Sequence, residues 1–240
     1  VEKTSAKQSP EQQFEQHLPF WPHLTADQRA LLVSGTSCRS FRAGENVHGR
    51  TGDCTGILLV LSGELRSYFL SEDGREVTLY RLLPGSLCIL SASCVLETIT
   101  FDVSIDAEVD TELLVVRADV FNRLTKENIY MDRDVHKEAV ARFSDVMWTM
   151  QQVLFMKLDR RLAIFLTEEV LDRDTDTLRM THDQIARHVG SAREVITRML
   201  KYFAAEGLVE LGRGTVTVTD PEGIRALAGV DDGPGGVCPV

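Results

Sequence analysis

Arg193, Glu194, Thr197, Arg198 and Lys201 fall on one side of a helix if the run Ser191 to Phe203 is helical, because their offsets of 0, 1, 4, 5 and 8 follow the 3.6-residue period. The opposite stripe, Val195, Ile196, Met199, Leu200 and Phe203, is apolar. Three cations and one carboxylate on an exposed helix face are the groups that pair with base edges in a DNA major groove. A guanidinium donates twice to guanine O6 and N7, and a carboxylate accepts from cytosine N4. The competing reading is a solvated basic helix in which Glu194 closes a Ser191-x-x-Glu194 capping box.

The flanking elements favour the first reading. Thr181-His182-Asp183-Gln184 has Thr-x-x-Gln capping-box spacing, so a short helix is expected to start there, with Ile185, Ala186 and Val189 as its buried face. Gly190 allows a tight turn, and Ser191 is placed to cap the next helix. Helix, glycine turn and second helix form the helix-turn-helix pattern, in which the second helix reads DNA. Two β-prone runs around Gly212-Arg213-Gly214 follow and predict a hairpin wing.

The bulk composition permits this. The chain has 240 residues, 43% of them hydrophobic, enough for two modest domains. No run approaches the roughly 18 unbroken apolar residues of a membrane span. The start, Val1 to Gln16, is polar without a signal-peptide core, and the lack of an initiator Met suggests a trimmed or tagged end. The first dozen residues are therefore left outside the expected domains. Five cysteines (Cys38, Cys54, Cys88, Cys94 and Cys238) form no dense framework and favour a reducing cytoplasm. Net charge is −10. Thr181 to Arg213 holds five Lys/Arg against four Asp/Glu, so the remainder carries −11 and phosphate attraction is expected to be local.

Upstream, Thr25 is placed to cap a short helix within residues 20–35. From Cys38 to Val116 short β-prone runs alternate with glycines. Ile57 to Leu61 reads as a buried strand, Asp73-Gly74 as a hairpin turn, and Val77 to Leu83 as its return. Such texture predicts a closed antiparallel β-roll or barrel. Asp119 to Leu158 reads as helical. Ala139, Phe143, Val146, Met150 and Val153 follow a heptad seam that suits a second subunit, while Val140, Met147 and Leu154 form a flanking stripe suited to lie on the roll. Leu158 to Leu162 is the expected hinge, Arg161 to Leu171 a further helix and Asp172 to Thr177 a polar loop. The fold class is α+β. An N-terminal antiparallel β-roll (20–129) is followed by a long dimerisation helix (130–158), a winged helix-turn-helix (159–228) and a glycine-rich tail (229–240) expected to be disordered.

That order resembles the CRP/FNR family of bacterial transcription regulators. Gly44-Glu45, Gly63-Glu64-Leu65, Asp73-Gly74-Arg75-Glu76 and Leu83-Pro84-Gly85 are similar to the family's cyclic-nucleotide-type roll, and Thr181 through Leu200 to its DNA-reading unit. The resemblance covers about residues 20–225. It implies a homodimer on a two-fold site in double-stranded DNA, RNA polymerase as a partner, and no membrane association or enzymatic activity. Arg193, Glu194 and Arg198 fall where the family's base-reading Arg-Glu-x-x-x-Arg stands. Thr181, His182 and Arg213 would touch phosphate, with Ser191, Thr197 and Lys201 as auxiliary contacts. Ala192 replaces a hydroxyl that often holds phosphate in relatives.

The resemblance leaves the effector open. Cyclic-AMP members hold ribose and phosphate through a Gly-Glu pair and a later Arg. Here Ser86 follows Gly85, and no Arg stands between Arg81 and Arg117. A buried phosphate without a cation is costly, which argues against cyclic AMP. The expected effector pocket comprises Gly85, Ser86, Leu87, Cys88, Ser93 and Cys94. Cys88 and Cys94 read either as a redox pair or haem ligand, or as two buried small hydrophobes. No Lys, Arg or His lies near either in sequence to activate a thiol. His17, His23 and His48 are axial-ligand candidates for haem without spacing support. An iron–sulfur cluster is disfavoured because residues 1–37 contain no Cys. A metal-binding cupin would want a His-x-His cluster, which is missing, and no catalytic triad or metal set is present. The remaining alternative is a ligand-binding signalling module acting through protein contacts without reading DNA.

Overall fold

The computed structural model describes residues 9–49, 55–89, 91 and 103–229. The chain divides into two compact units, Val1–Phe69 with Leu79–Val146, and Leu70–Thr78 with Met147–Val240.

The first unit opens with α1 (Pro10–His17) and α2 (Ala26–Ser34). Each starts at a reciprocal capping box: the Ser9 and Thr25 hydroxyls accept from the Gln12 and Gln28 N–H groups, and those glutamines accept from the cap N–H. The eight strands are β1 (Thr36–Phe41), β2 (Asn46–His48), β3 (Ile57–Ser62), β4 (Leu65–Leu70), β5 (Glu76–Leu82), β6 (Leu87–Cys88), β7 (Ser104–Ala107) and β8 (Thr111–Val116). They form two four-stranded sheets, β1-β8-β3-β6 and β2-β7-β4-β5. Alternation along β3 explains its unbroken apolar run. Ile57 and Leu59 pack with Phe14, Leu32 and Phe121 of the helices, while Leu58 and Val60 pack with Leu65, Leu82 and Ile105 inside the roll. At the Asp73-Gly74 turn Gly74 has φ +78°, as the sequence required.

Two helices follow, α3 (Ala118–Glu127) and α4 (Ile129–Phe155). Asn128 separates them. Its Oδ1 accepts from the Tyr130 and Met131 N–H groups, and its Nδ2 donates to the His23 carbonyl and Gln28 Oε1. The stripes of α4 are reassigned. Met131, Val135 and Val146 are buried in the unit's cores, with Ala139 packed beside them. Val140 (68% exposed), Phe143 (66%), Met147, Met150 and Leu154 (66%) lie open. Ala139 and Val146 therefore belong to the inward face, and Val140, Met147 and Leu154 to the outward one. The 3-4-3-4 spacing of Val140, Phe143, Met147, Met150 and Leu154 is itself a heptad seam.

In the second unit α5 (Leu158–Arg173) begins directly after Met156–Lys157. The interruption thus precedes the expected hinge, and Leu158 to Leu162 is the first turn of α5. This helix also extends past Leu171 into the expected loop, ending at Asp174 in the left-handed region. Then come β9 (Thr177–Leu178), α6 (His182–Val189), α7 (Arg193–Ala205), β10 (Val209–Gly212), β11 (Thr215–Val218) and α8 (Pro221–Ala228). Leu162, Leu166, Ile185, Ile196, Leu200, Phe203 and Val216 share one core. The glycine-rich tail beyond Gly229 lies outside the described residues.

Phe14 shows that α1 is part of the first core, since its ring is 0% exposed. Phe14→Ala is expected to lower unfolding free energy by about 3–5 kcal/mol, measured by urea denaturation followed by circular dichroism.

Candidate nucleic-acid interface

The Thr181 capping box forms as the sequence predicts: the Thr181 hydroxyl accepts from the Gln184 N–H at 3.2 Å, and Gln184 Oε1 accepts from the Thr181 N–H at 2.8 Å. Gly190 ends α6 at φ +67°, a left-handed conformation that L side chains adopt only with strain. The Ser191 N–H then donates to the Ala186 carbonyl at 2.9 Å, which satisfies one orphan acceptor of the helix end. The next helix starts one residue later than expected. Its N-cap is Ala192, without a side-chain cap bond, so the Ser191-x-x-Glu194 box does not form. Glu194 stands instead as an exposed carboxylate in the first turn of α7, where the helix dipole favours negative charge.

Ile196, Leu200 and Phe203 bury the back of α7, with Val195 and Met199 half-buried beside them. The front carries Arg193, Glu194, Arg198 and Lys201, all exposed. Among the described residues these four and Arg213 take no ion-pair partner. On neighbouring helices Arg187 pairs with Asp183 at 3.5 Å and Arg173 with Glu169 at 2.7 Å. Unpaired cations spaced along one exposed face leave their donors available to an incoming anionic or base-edge acceptor.

The wing pairs Val209 with Val218 through Gly212 with Thr215, leaving Arg213-Gly214 as the turn and Arg213 exposed. The two-residue strand β9 adds to β11, with Thr177 Oγ1 and Thr217 Oγ1 3.0 Å apart. No sequence expectation covered this third strand, because Thr177-Leu178 is too short to show a period. Thr181, His182, Asp183, Arg193, Gly212 and Gly214 line a cleft of about 480 Å³ between the start of α6, the start of α7 and the wing turn. His182 is held there: its Nδ1 lies 3.0 Å from Thr197 Oγ1, which donates to the Arg193 carbonyl at 2.8 Å. Burial first, then the charges of Arg193 and Lys201, hold the His182 pKa below its ordinary value. Thr197, expected among the DNA contacts, thus has its hydroxyl engaged within the protein.

Of the expected effector residues, Gly85 to Cys88 are among the described ones. Gly85 and Ser86 make a turn whose groups are committed locally: the Gly85 N–H donates to the Val60 carbonyl at 2.8 Å, and the Ser86 hydroxyl accepts from the Leu83 N–H at 3.2 Å. Leu87 is half-buried, and Cys88 is buried inside the roll beside Leu58 and Val60. Ser93 and Cys94 lie outside the described residues. Composition did not single out Ser67 and Tyr80, whose hydroxyls are buried within the roll. Burial first, and then Cys88, raise the Tyr80 pKa well above the ordinary phenol value, opposed by Ser67 and Arg142. The Arg142 guanidinium lies 5.0 Å from the Tyr80 ring centroid. Among the described residues no cluster of His, Cys, Asp and Glu is arranged to hold a metal ion.

An antiparallel β-roll with a long helix and a winged helix-turn-helix defines a two-domain regulator class, and similarity to known proteins narrows it. Residues 38–128 match the model of the cyclic nucleotide-binding domain, and residues 160–227 that of the Crp-like helix-turn-helix domain. A crystal structure of a crp/fnr-family protein from Eubacterium rectale is 43% identical with TM-score 0.84, covering 89% of this chain and 99% of that one. The cyclic AMP receptor protein of Thermus thermophilus is 24% identical over 88% of this chain and 96% of its own length. The nitrogen fixation regulation protein FixK of Bradyrhizobium diazoefficiens is 26% identical over 78% of this chain and 80% of its own. The chain belongs to the CRP/FNR family of transcription regulators, whose members bind DNA through the helix-turn-helix.

Because Gly190 sits at positive φ, Gly190→Ala is expected to destabilise the second unit by about 1–2 kcal/mol. Guanidinium denaturation monitored by far-ultraviolet circular dichroism checks this, and an unchanged midpoint would contradict it.

Proposed function

We propose that the protein is a homodimeric, cytoplasmic regulator that reads a two-fold site in double-stranded DNA. In this reading Arg193, Glu194 and Arg198 contact bases, while Thr181, His182, Lys201 and Arg213 contact phosphate. The observation that carries it is the unpaired, exposed charge on α7 above a fully buried back. That arrangement presents bidentate donors and a carboxylate acceptor on a helix small enough to enter a major groove. RNA polymerase is the expected protein partner, and the chain acts without catalysing a reaction. Among the described residues no helix is long and apolar enough to cross a membrane.

The second copy seats on the outward stripe of α4. Val140, Phe143, Met147, Met150 and Leu154 form an apolar ridge with coiled-coil spacing, and a matching ridge related by two-fold symmetry buries it. Paired half-sites then follow from paired recognition helices.

The effector is a small molecule or a redox or gas signal received in the roll, and it is not cyclic AMP. A relative carries the name cyclic AMP receptor protein, but the interval between Arg81 and Arg117 in this chain supplies no cation for a phosphate. The buried Ser67 and Tyr80 hydroxyls beside Cys88 offer a largely apolar effector two polar handles. A visible spectrum of protein purified with and without air tests for haem.

Selection from random duplexes, with and without oxidant, is the direct test of the DNA reading. Enrichment of a two-fold motif supports it, and no enrichment under either condition contradicts it. On the selected duplex, Arg193→Ala is expected to relax base preference at one position per half-site, a loss of about 1–3 kcal/mol in discrimination. Lys201→Ala is expected to weaken selected and scrambled duplexes alike and to lower the salt slope by about one. Equal losses on both duplexes for Arg193→Ala would refute its role. Phe143→Glu is expected to shift sedimentation from dimer to monomer at micromolar protein.

A further inference from the structure

The geometry points to Thr197 as a positioning residue that holds His182 in its Nδ1–H form, so that Nε2 takes up a proton when a DNA phosphate enters the cleft. The inference rests on the DNA reading proposed above and adds its regulation by pH.

A threonine hydroxyl has one proton to give. Thr197 Oγ1 gives it to the Arg193 carbonyl at 2.8 Å, the bond a helical threonine commonly makes one turn back. At its 3.0 Å contact with His182, therefore, Thr197 accepts and Nδ1 carries the hydrogen. Nε2 is left with a lone pair and no partner among the described residues. The ring lines a cleft whose wing side is formed by Gly212 and Gly214, so no bulky side chain from those positions narrows it.

A phosphodiester oxygen offers only lone pairs, so a neutral Nε2 facing it repels. A protonated Nε2–H donates a charge-assisted hydrogen bond. In the free protein the groups around His182 oppose that proton. Arg193 and Lys201 face it from α7, and Arg213 sits between the two glycines of the wing. Asp183 on its own helix is engaged by Arg187 at 3.5 Å. A bound phosphate reverses the balance by neutralising the cations and adding an acceptor. His182 then titrates lower in the free protein than in the complex. Between those two values binding takes up a proton and strengthens as pH falls. Above the bound value and below the free value the dependence flattens.

The test uses the full chain and a fluorescent duplex taken from the selection above, with anisotropy read at constant ionic strength from about pH 8 to about pH 6. Wild-type affinity is expected to tighten by about fivefold to tenfold across that range, a single linked proton allowing at most about tenfold per pH unit. His182→Gln is expected to lose most of the tightening between the alkaline and the acid end, whatever its affinity at the alkaline end. Thr197→Val, which removes the acceptor, is expected to weaken the pH dependence, and Thr197→Ser to restore it. Calorimetry in buffers of different ionisation enthalpy should show proton uptake that His182→Gln reduces. A pH profile of His182→Gln superimposable on wild type, or Thr197→Val matching wild type, overturns the inference. So does a wild type that prefers its selected duplex with no pH dependence, although that result leaves the DNA reading intact. A wild type that prefers no duplex at any pH overturns both.

Discussion

Burial of Ile196, Leu200 and Phe203 is the constraint on which the rest of the second unit depends. Each is 0% exposed and packs in one core with Leu162, Ile185 and Val216. Anchored on that side, α7 presents its outward residues at fixed spacing, so binding does not first have to order the backbone that carries them. Two backbone devices set its angle against α6: the capping box that starts α6, and the left-handed Gly190 that stops it. Without the glycine the chain would enter α7 under strain, and the outward face would lose its registration with the wing.

Charge is distributed to match. Most cations on the other helices are tied to local carboxylates, Arg117 to Asp119, Arg123 to Glu127, and Arg142 to both Glu138 and Asp145. The cations of α7 and the wing are left open. In a chain of net charge −10 this keeps long-range attraction to DNA weak and concentrates it at one small surface, which favours discrimination over nonspecific adhesion. In the roll the pattern inverts. Arg66 is 1% exposed, stacked on Tyr68 and paired with Glu108 at 2.6 Å, so that cation is part of the framework rather than a ligand for an anion.

Much of this was legible in the residues, and the exceptions have physical reasons. The capping spacing of Thr25 and Thr181, the Gly190 turn and the hydrophobic period of α7 are local signals, and each formed where it was expected. The faces of α4 were read only in part: Phe143, Met150 and Val153 of the expected seam are exposed, but Ala139 and Val146 turn inward, because they fit a heptad as well as Val140 and Met147 do. Only the position of the roll decides which stripe it covers. The helix α1 was missed although Ser9-Pro10-Glu11-Gln12 carries the same capping signature as Thr25, because the start of the chain was set aside. Ser191 looked like a cap and Thr197 like a DNA contact because sequence spacing shows which bonds are possible. It does not show which bond wins: the hydroxyl of Thr197 goes to the Arg193 carbonyl and His182, and the cap position passes to Ala192. The effector region was the least legible, since nothing in the spacing of Ser67 and Tyr80 shows that both hydroxyls are buried within the roll.

The most direct measurement of the central claim is base-analogue interference on the preferred duplex. If Arg193 and Arg198 read guanines in the major groove, replacing those guanines with 7-deazaguanine removes an acceptor they need and weakens binding. Inosine keeps N7 and O6, loses only the minor-groove amino group, and leaves binding unchanged. Sensitivity to inosine with indifference to 7-deazaguanine would place recognition in the other groove and contradict the account.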